Sequence, residues 1–279
     1  MIIHLSTISF GEVYLVRTWF SINAIISYMK SKSNRRFFVL LPFKYNYYRF
    51  ISKSKYRTIP FNYRIIGVIK TYLENVPIES GRNVSQDERN LAVHAEDFNV
   101  TNFQGVRVTD SEGRNLDVVN DATNNVGSFT SQVLLTMTIP KSFFESVKNR
   151  AKMQRLYLVV YRRTFLFQSP AQNFTKSKAQ TVRKKNSFVI AASVKGLEVN
   201  NLSEPVESNY YPLQRGIDKT AQCVFWDFKL KSGHGDWSGD GCNYRGSSNG
   251  LVTCHCNHIT NFAMLMVLNI TMLVSYRNS

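Results

Sequence analysis

The sequence predicts a mainly β fold, an antiparallel β-sandwich with a disulfide-bonded segment at its C-terminal end. From about residue 85, short segments typical of strands follow one another, and turn residues separate them. The chain is also rich in residues that favour strands, with 14 Tyr and 19 Phe among them. In addition, four cysteines lie close together near the C-terminus, which predicts a cross-linked end to the sandwich.

The 279 residues are enough for one large or two modest domains, and a hydrophobic fraction of 43% can fill a sizeable core. We divide the chain into an unassigned N-terminal segment rich in basic and aromatic residues (1–84), a β-sandwich (85–270) and a short tail (271–279). Residues 1 to about 70 show no sustained period of 3.6 or 2 residues. We interpret them either as a partial helical region or as a translated segment that does not belong to the mature protein.

Four segments are predicted to form strands. Residues 90–97 alternate apolar and polar side chains, and residues 131–140 form a run that Pro140 ends. Residues 155–167 are interpreted as a pair of strands, and residues 187–194 as a further strand.

The segments between these strands are predicted to be turns or loops. Turns are expected at residues 110–113 and 124–127, and a single helical turn at 141–147. The polar stretch 169–186 is predicted to be an exposed loop, in which Arg183-Lys-Lys is a solvated charge run.

Charge is concentrated near the N-terminus. The net charge is +16, and residues 1–80 hold 12 Lys+Arg against 3 Asp+Glu, a net of +9. A basic chain can bind nucleic acid or an anionic membrane surface. However, no basic recognition helix and no stacking motif for bases is present, so we expect no nucleic-acid partner.

Cysteines and glycosylation sequons favour an oxidising, extracellular setting. The four cysteines lie within one stretch of 34 residues, which predicts two disulfides: they are Cys223, Cys242, Cys254 and Cys256. Five Asn-x-Ser/Thr sequons are candidate N-glycosylation sites: Asn83, Asn99, Asn173, Asn201 and Asn269.

No signal peptide is recognisable at the N-terminus, because the first residues lack a basic n-region and Glu12 and Arg17 interrupt the apolar run. Residues 22–29 are apolar but too few to span a bilayer. The apolar run 262–274 holds 13 residues, which suits a buried strand better than a membrane helix.

The last sixty residues carry the most specific pattern. It consists of Cys223-Val-Phe-Trp-Asp-Phe, then Trp237-Ser-Gly-Asp-Gly-Cys, then Cys254-His-Cys-Asn-His-Ile-Thr-Asn-Phe-Ala-Met-Leu-Met. This pattern resembles the proteolysis site (GPS motif) of adhesion G-protein-coupled receptors. The stretch of about 85–270 resembles the β-sandwich subdomain B of the GAIN domain that contains this motif. Asn201-Leu-Ser-Glu-Pro-Val also resembles a segment found upstream of the site in these receptors.

The residues of the motif suggest a chemistry. A Thr260 hydroxyl is a weak nucleophile and needs an adjacent base, which an imidazole can supply. His258 precedes it by two residues, and in an extended strand residues i and i+2 lie on the same face. The hydroxyl would attack the Ile259 carbonyl and convert the amide into an ester, which water then hydrolyses. Self-cleavage between Ile259 and Thr260 is a single event, so a turnover enzyme is not expected.

The resemblance implies further properties. It implies that the disulfides join Cys223 to Cys254 and Cys242 to Cys256. It implies that the strand after the cut stays in the sheet, and that this strand acts as a tethered agonist once it reaches a seven-helix membrane domain. A cell-surface location, with the module on the extracellular side, follows from the same resemblance. Because no seven-helix domain follows the motif before Ser279, we interpret the sequence as a fragment or an incomplete gene model.

Two departures from the family pattern affect this interpretation. Ile259 stands where leucine is usual, and a β-branched residue stiffens the backbone at the scissile carbonyl. The helical subdomain that usually precedes the sandwich is not recognisable in residues 1–84.

Several other interpretations compete with the receptor module. A zinc site fits poorly, because zinc modules generally use Cys-x₂₋₄-Cys pairs and this chain has Cys254-His-Cys. A calcium loop starting at Asp236 would place Ser247 at the position that requires a bidentate Glu. We therefore expect no cofactor and no metal. A non-cleaving adhesion module, with His258 and Thr260 purely structural, and a polycystin-type protein with the same motif remain as alternatives. The sequence does not identify an extracellular ligand.

Overall fold

The computed structural model describes residues 7–10, 13–16, 61–113, 115–121, 132–147, 151–169, 181–214 and 221–269. The chain divides into two compact units, Met1–Ser54 and Lys55–Ser279. In the first unit, strands β1 (Thr7–Phe10) and β2 (Val13–Val16) pair antiparallel as a hairpin. The expected turn at 124–127, the apolar stretch 22–29 and the tail 271–279 lie outside the described residues.

The second unit is built around two antiparallel sheets. The larger sheet has eight strands: β3 (Asn83–Asp87), β4 (Leu91–Asn99), β8 (Met153–Tyr161), β9 (Thr181–Lys185), β10 (Val189–Val194), β12 (Ala221–Asp227), β13 (Asp236–Ser238) and β16 (Asn261–Asn269). Their order is β13-β12-β16-β10-β8-β4-β3, and β9 pairs with β16 beside β10.

The smaller sheet has six strands: β5 (Val106–Ser111), β6 (Asn115–Val119), β7 (Val133–Ile139), β11 (Val206–Tyr210), β14 (Cys242–Ser248) and β15 (Leu251–Cys256). Their order is β14-β15-β11-β7-β5-β6. Apolar side chains of both sheets form one core between them, so the predicted antiparallel sandwich is confirmed.

Strand β8 shows how the larger sheet is buried on both faces. Leu156, Leu158 and Val160 face the other sheet and belong to the central core. Tyr157 and Tyr161 alternate with them and are also buried, although they point to the opposite face. Another element of the chain must therefore cover the outer face of the larger sheet.

Helix α1 (Phe61–Asn75) contacts β4 and β8 of the larger sheet. Its buried residues Ile65, Ile69 and Leu73 recur at intervals of four and form one apolar stripe. The sequence showed no sustained period before about residue 70, although a partial helical region was one of its two interpretations, and α1 is such a region. The stripe is short, and it lies among basic and aromatic residues that hide it in a longer window.

Arg155 of β8 anchors the C-terminal end of α1. Its guanidinium donates to the carbonyl oxygens of Glu74 (3.3 Å) and Val76 (2.6 Å), and it pairs with the Asp97 carboxylate at 2.7 Å. The last carbonyls of a helix lack partners within the helix, and a cation there also suits the helix dipole. One arginine thus fixes the helix to the sandwich.

Most of the predicted elements are confirmed. Strands β4, β7 and β10 cover the segments predicted at 90–97, 131–140 and 187–194, and Lys141–Ser146 forms the expected helical turn as a 3₁₀ helix. Strand β16 takes up most of the apolar run from residue 262 as a buried strand. Strand β3 begins at Asn83, two residues before the boundary drawn from the sequence.

The predicted strand pair at 155–167 is instead one strand, β8, followed by a 3₁₀ turn at Thr164–Leu166. The chain leaves the sheet at Arg162, whose guanidinium is buried in ion pairs with Asp87 and Asp110. A buried charge of this kind needs partners from other elements. The chain thus leaves the sheet where hydrophobicity alone predicted a second strand.

The predicted exposed loop 169–186 ends in strand β9, which pairs with β16. Arg183 and Lys184 are exposed, as expected for a solvated charge run. Lys185 is half-buried, its Nζ donates to the Phe167 carbonyl at 2.9 Å, and burial lowers the pKa of its ammonium to about 8. The third residue of the run is therefore part of the packed structure.

No helix within the described residues is both long and apolar enough to cross a bilayer.

Candidate functional site

The segment 257–260 is the crossover between the two sheets. Strand β15 ends at Cys256 in the smaller sheet, and β16 begins at Asn261 in the larger one. His258 and Thr260 therefore lie in a turn, and the expectation that they share the face of one extended strand was wrong. The chain has to bend sharply here because four residues carry it from one layer of the sandwich to the other.

A loop before β11 holds this turn from the upstream side. The Ile259 N–H donates to the Val199 carbonyl at 3.2 Å, and the Leu202 N–H donates to the Asn257 carbonyl at 2.8 Å. Val199 and Leu202 are both buried, so the loop that holds the turn is itself packed against the core.

The peptide group between Ile259 and Thr260 is less constrained than its neighbours. The Thr260 carbonyl accepts a hydrogen bond from the Ala192 N–H at 3.1 Å. No backbone hydrogen bond from the described residues reaches the Ile259 carbonyl oxygen or the Thr260 N–H. Both residues are half-buried, and Ile259 packs against the core. The bond is thus fixed on both sides while its own polar atoms stay available.

His258 lies in an apolar niche and is only 8% exposed. The ring of Phe225 meets its imidazole edge-on at 4.5 Å between centroids, and the ring of Phe262 lies at 5.3 Å. Burial lowers the pKa of the imidazole, which keeps it neutral at pH 7. A neutral imidazole is the form that can accept a proton.

The two ring nitrogens of His258 differ in their surroundings. Nδ1 lies 3.1 Å from the Asn257 side-chain oxygen, whereas Nε2 is buried without a hydrogen-bond partner. Within the described part of the chain, no hydrogen bond joins His258 to the Thr260 hydroxyl. Catalytic hydrogen bonds are often long before a reaction begins, so this geometry is compatible with both roles that the sequence left open for His258, catalytic and structural.

Two disulfides surround the turn, and they have different places in the fold. Cys223 of β12 pairs with Cys254 of β15, which ties the larger sheet to the smaller one. Cys242 of β14 pairs with Cys256 of β15, which staples two neighbouring strands directly before the turn. These are the pairs that the family resemblance implied.

Strand β16, which follows the turn, is buried on both faces. Five consecutive residues are each about 1% exposed: Phe262, Ala263, Met264, Leu265 and Met266. The strand lies between β12 on one side and β10 with β9 on the other. Its backbone and its side chains are therefore both held by the larger sheet.

The Ser187 side chain completes the hydrogen bonding of β16 in the gap between its neighbours β10 and β9. Strand β10 pairs with residues 261 and 262, and β9 pairs with residues 265–269. Between them, the buried Ser187 hydroxyl accepts from the Met264 N–H at 2.8 Å, and the Asn186 N–H donates to the Met264 carbonyl at 3.0 Å. Ser187 also donates to the Phe188 carbonyl at 2.7 Å, so its hydroxyl is used twice.

No group of three or more His, Cys, Asp or Glu residues placed to hold a metal ion is found in the described ranges. The four cysteines are consumed by disulfides. Asp236, the first residue of the rejected calcium loop, is buried, and its carboxylate accepts from the Ser169 hydroxyl at 2.6 Å and from the Trp237 N–H at 2.8 Å.

The sequons occupy different positions. Asn83 and Asn201 are exposed, and Asn201 adopts a left-handed backbone with φ 56°. Asn99 is half-buried, and its side-chain oxygen accepts from both the N–H and the hydroxyl of Thr101. Asn173 and the side chain of Asn269 lie outside the described residues.

Sequence reasoning did not assign a role to several residues of the site. Phe225 flanks His258 from a strand more than thirty residues upstream, and Val199 reaches the turn from a loop, so neither shows a local signal. Asn257 stands directly before His258, and its position next to the predicted base was a signal that could have been used. Trp226 and Trp237 are both buried and meet edge-on, with 5.1 Å between their ring centroids, so they are packing residues.

The two-sheet sandwich, its two disulfides and the His-Ile-Thr turn at the crossover define the class: a GPS-type module. The family model "GPS: GAIN subdomain B" matches residues 90–270, which is more than half of the chain. The chain belongs to the adhesion G-protein-coupled receptor family, as a GAIN subdomain B with its GPS motif.

Individual relatives agree with this assignment. The chain is 31% identical over 189 residues to adhesion G-protein coupled receptor G6 of Danio rerio, a match that covers 67% of this chain and 15% of the receptor. It is 28% identical over 201 residues to adhesion G-protein coupled receptor G2 of Rattus norvegicus, which covers 70% of this chain and 18% of that receptor. The chain thus spans less than a fifth of the length of these relatives.

A solved structure shows the same fold. The full extracellular region of zebrafish Gpr126/Adgrg6 matches with a TM-score of 0.57 and 25% sequence identity. The match covers 71% of this chain and 25% of that structure.

Proposed function

We propose that this module cleaves itself once, between Ile259 and Thr260, and then holds the strand after the cut in place. The observation that carries the proposal is the position of this peptide bond. It lies in the turn between the sheets, beside a buried neutral imidazole, with its flanking backbone fixed and its own polar atoms available. Holding reacting groups in a fixed geometry is a large part of catalysis.

The proposed reaction has two stages. The Thr260 Oγ bonds to the Ile259 carbonyl carbon while the hydroxyl proton passes to the His258 imidazole. The C–N bond then breaks, the proton moves to the Thr260 nitrogen, and an ester joins the two residues. Water hydrolyses that ester, which leaves a carboxylate on Ile259 and restores the Thr260 hydroxyl beside a free amine.

Ile259 combines two effects in this proposal. Its β-branched side chain stiffens the backbone at the scissile carbonyl, which slows the attack. The same side chain packs against the core and anchors the turn. We therefore expect an Ile259→Leu variant to cleave at least as fast as the parent chain.

The strand after the cut has reason to stay bound. Strand β16 is buried on both faces and lies between strands on both edges, so its retention does not depend on the cleaved bond. We propose that β16, once pulled out of the sheet, acts as a tethered agonist on a seven-helix membrane domain at the cell surface. The exposed sequons Asn83 and Asn201, together with Asn99, Asn173 and Asn269, are proposed N-glycosylation sites of this extracellular module.

A second candidate function is an adhesion module that is not cleaved. One observation favours it: no hydrogen bond joins the Thr260 hydroxyl to His258 among the described residues. The polycystin-type alternative has no such support, since the relatives reported above are adhesion receptors.

Gel electrophoresis of the secreted, deglycosylated chain under denaturing conditions tests the proposal. A C-terminal tag should report a small fragment that begins at Thr260. Thr260→Ala removes the nucleophile and should abolish the fragment, whereas Thr260→Ser keeps a hydroxyl and should retain it. A parent chain that is folded and disulfide-bonded yet remains whole would establish the non-cleaving module instead.

A further inference from the structure

The side chain of Asn257 makes a specific contact with the base of the proposed reaction. Its Oδ1 lies 3.1 Å from Nδ1 of His258. An amide oxygen can only accept a hydrogen bond, so Nδ1 has to carry the hydrogen in this pair. In a neutral imidazole the other nitrogen, Nε2, then has a free lone pair.

The surroundings of Nε2 keep that lone pair available. Nε2 is buried and has no hydrogen-bond partner. The ring contacts Phe225 and Phe262, which offer neither a donor nor a charge. Burial lowers the pKa of His258, which favours the neutral imidazole. A buried acceptor without a partner costs free energy, and such a cost is often found where a group is reserved for chemistry.

Backbone contacts fix Asn257 itself. Its N–H donates to the Gly241 carbonyl at 3.0 Å, and its carbonyl accepts from the Leu202 N–H at 2.8 Å. Gly241 precedes Cys242 and Asn257 follows Cys256, so the disulfide between these two cysteines holds the two segments side by side.

Gly241 leaves room for the contact between Asn257 and His258. It adopts a left-handed backbone with φ +71°, which favours glycine. A Cβ at this position would lie 2.3 Å from the Asn257 Oδ1 and 3.2 Å from the His258 Nδ1. Any other residue would therefore push into the hydrogen bond.

We propose that Asn257 is a positioning residue that holds the Nδ1–H tautomer of His258 and thereby leaves Nε2 as the base for the Thr260 hydroxyl. Gly241 and the Cys242–Cys256 disulfide fix Asn257 in this role. The inference rests on the proposed self-cleavage, because it assigns the nitrogen that takes the proton. It concerns the state of one side chain, however, so it can be measured in a chain that does not cleave.

Nitrogen-15 NMR of the histidine ring tests the tautomer directly. The measurement uses the folded chain with Thr260→Ala, where no cleavage occurs. We expect the hydrogen of His258 on Nδ1 in this chain. Asn257→Leu has a similar size but no acceptor, and it should lose the preference for Nδ1–H. Asn243→Leu makes the same change at an exposed position on β14 and should leave the ring unchanged.

Cleavage of the otherwise unaltered chain gives the second readout. Because general base catalysis contributes about 10²–10⁴-fold, Asn257→Leu should slow cleavage by at least about 10-fold at pH 7.4. Asn257→Asp keeps an acceptor and adds a negative charge, which raises the pKa of His258. Cleavage in this variant should persist at pH 7.4, but its decline in acid should begin at a higher pH than in the parent chain.

The outcomes separate the two proposals. Hydrogen on Nε2 in the Thr260→Ala chain, or an unchanged tautomer in Asn257→Leu, would overturn the positioning role, even if the parent chain cleaves. A parent chain with hydrogen on Nδ1 that never cleaves would leave the tautomer assignment standing and overturn self-cleavage. A lost tautomer preference together with slower cleavage, in a variant whose disulfides are intact on a non-reducing gel, supports both.

Discussion

The two sides of the Ile259–Thr260 bond are held by different kinds of interaction. Upstream, Cys254 and Cys256 tie the chain covalently to β12 and β14 within six residues of the bond. Downstream, β16 has no covalent tie within the described residues and is held by ladder hydrogen bonds and apolar burial. A module that breaks this bond therefore keeps one piece by cross-links and the other by packing.

Because the two sides are held differently, different conditions should release the segment before the bond and the strand after it. Reduction removes the upstream constraint and leaves the packing of β16 in place. Denaturant or mechanical force acts on β16, whose hold is the sum of many weak contacts. In the proposed function β16 is pulled out of the sheet, and packing allows such a release without the breaking of a covalent bond.

The largest expected effect comes from removal of both disulfides. The two bridges span sequence separations of 31 and 14 residues. Chain-entropy arguments give roughly 3–4 kcal/mol for the longer loop and roughly 3 kcal/mol for the shorter one. Replacing all four cysteines by serine should therefore lower the free energy of unfolding by roughly 6–7 kcal/mol, as measured by urea titration of the buried tryptophans' fluorescence.

Variants that remove one bridge each sharpen this prediction. Loss of Cys223–Cys254, which joins the two sheets, should lower the urea midpoint more than loss of Cys242–Cys256. The opposite order, or no change in either variant, would show that the upstream side does not depend on its cross-links.

The packing of β16 should show the next largest effect. Met264 is about 1% exposed, and Met264→Ala leaves a cavity in the core. Such changes cost about 2–5 kcal/mol of unfolding free energy. After cleavage, the same variant should release its C-terminal fragment faster.

Met153→Ala is the matched control, because Met153 is 53% exposed and the same atoms are removed. Its unfolding free energy should change by no more than about 0.5 kcal/mol. If both variants release the fragment at the parent rate, packing does not retain β16. The claim that the downstream side of the bond is held by packing would then be wrong.

The sequence was sufficient to predict those strands whose local pattern of apolar residues is clear. Strand β4 was predicted from alternating apolar and polar residues, and β7 and β10 from apolar runs with clear ends. The apolar run that contains β16 was too short for a membrane helix and suited a buried strand better. Strand β9 was missed because three consecutive basic residues resemble a solvated loop, and its pairing with β16 is a tertiary contact. Local propensity gives way to such contacts.

For the candidate site, the motif pointed to His258 and Thr260, which stay a prediction, and it did not predict the geometry in which the fold holds them. It placed His258 and Thr260 two apart, and the fold then put both in the turn between two sheets rather than in one strand. That turn depends on Val199 and Phe225, which are distant in sequence and carry no local mark. A short motif can name reacting groups, whereas the surrounding fold decides how they are held.

The smallest predicted effect concerns one hydroxyl beside β16. Ser187→Ala leaves the buried Met264 N–H without its acceptor, which costs roughly 1–3 kcal/mol. Since 1.4 kcal/mol corresponds to about a factor of ten, hydrogen exchange of the Met264 amide should accelerate by about 5-fold or more. Ser247→Ala, on the exposed surface of β14, should leave that exchange rate unchanged. An unchanged rate in Ser187→Ala would mean that the hydrogen bonds from β9 and β10 are sufficient to hold β16. The Ser187 hydroxyl, which lies between these two strands, would then have no part in retaining β16.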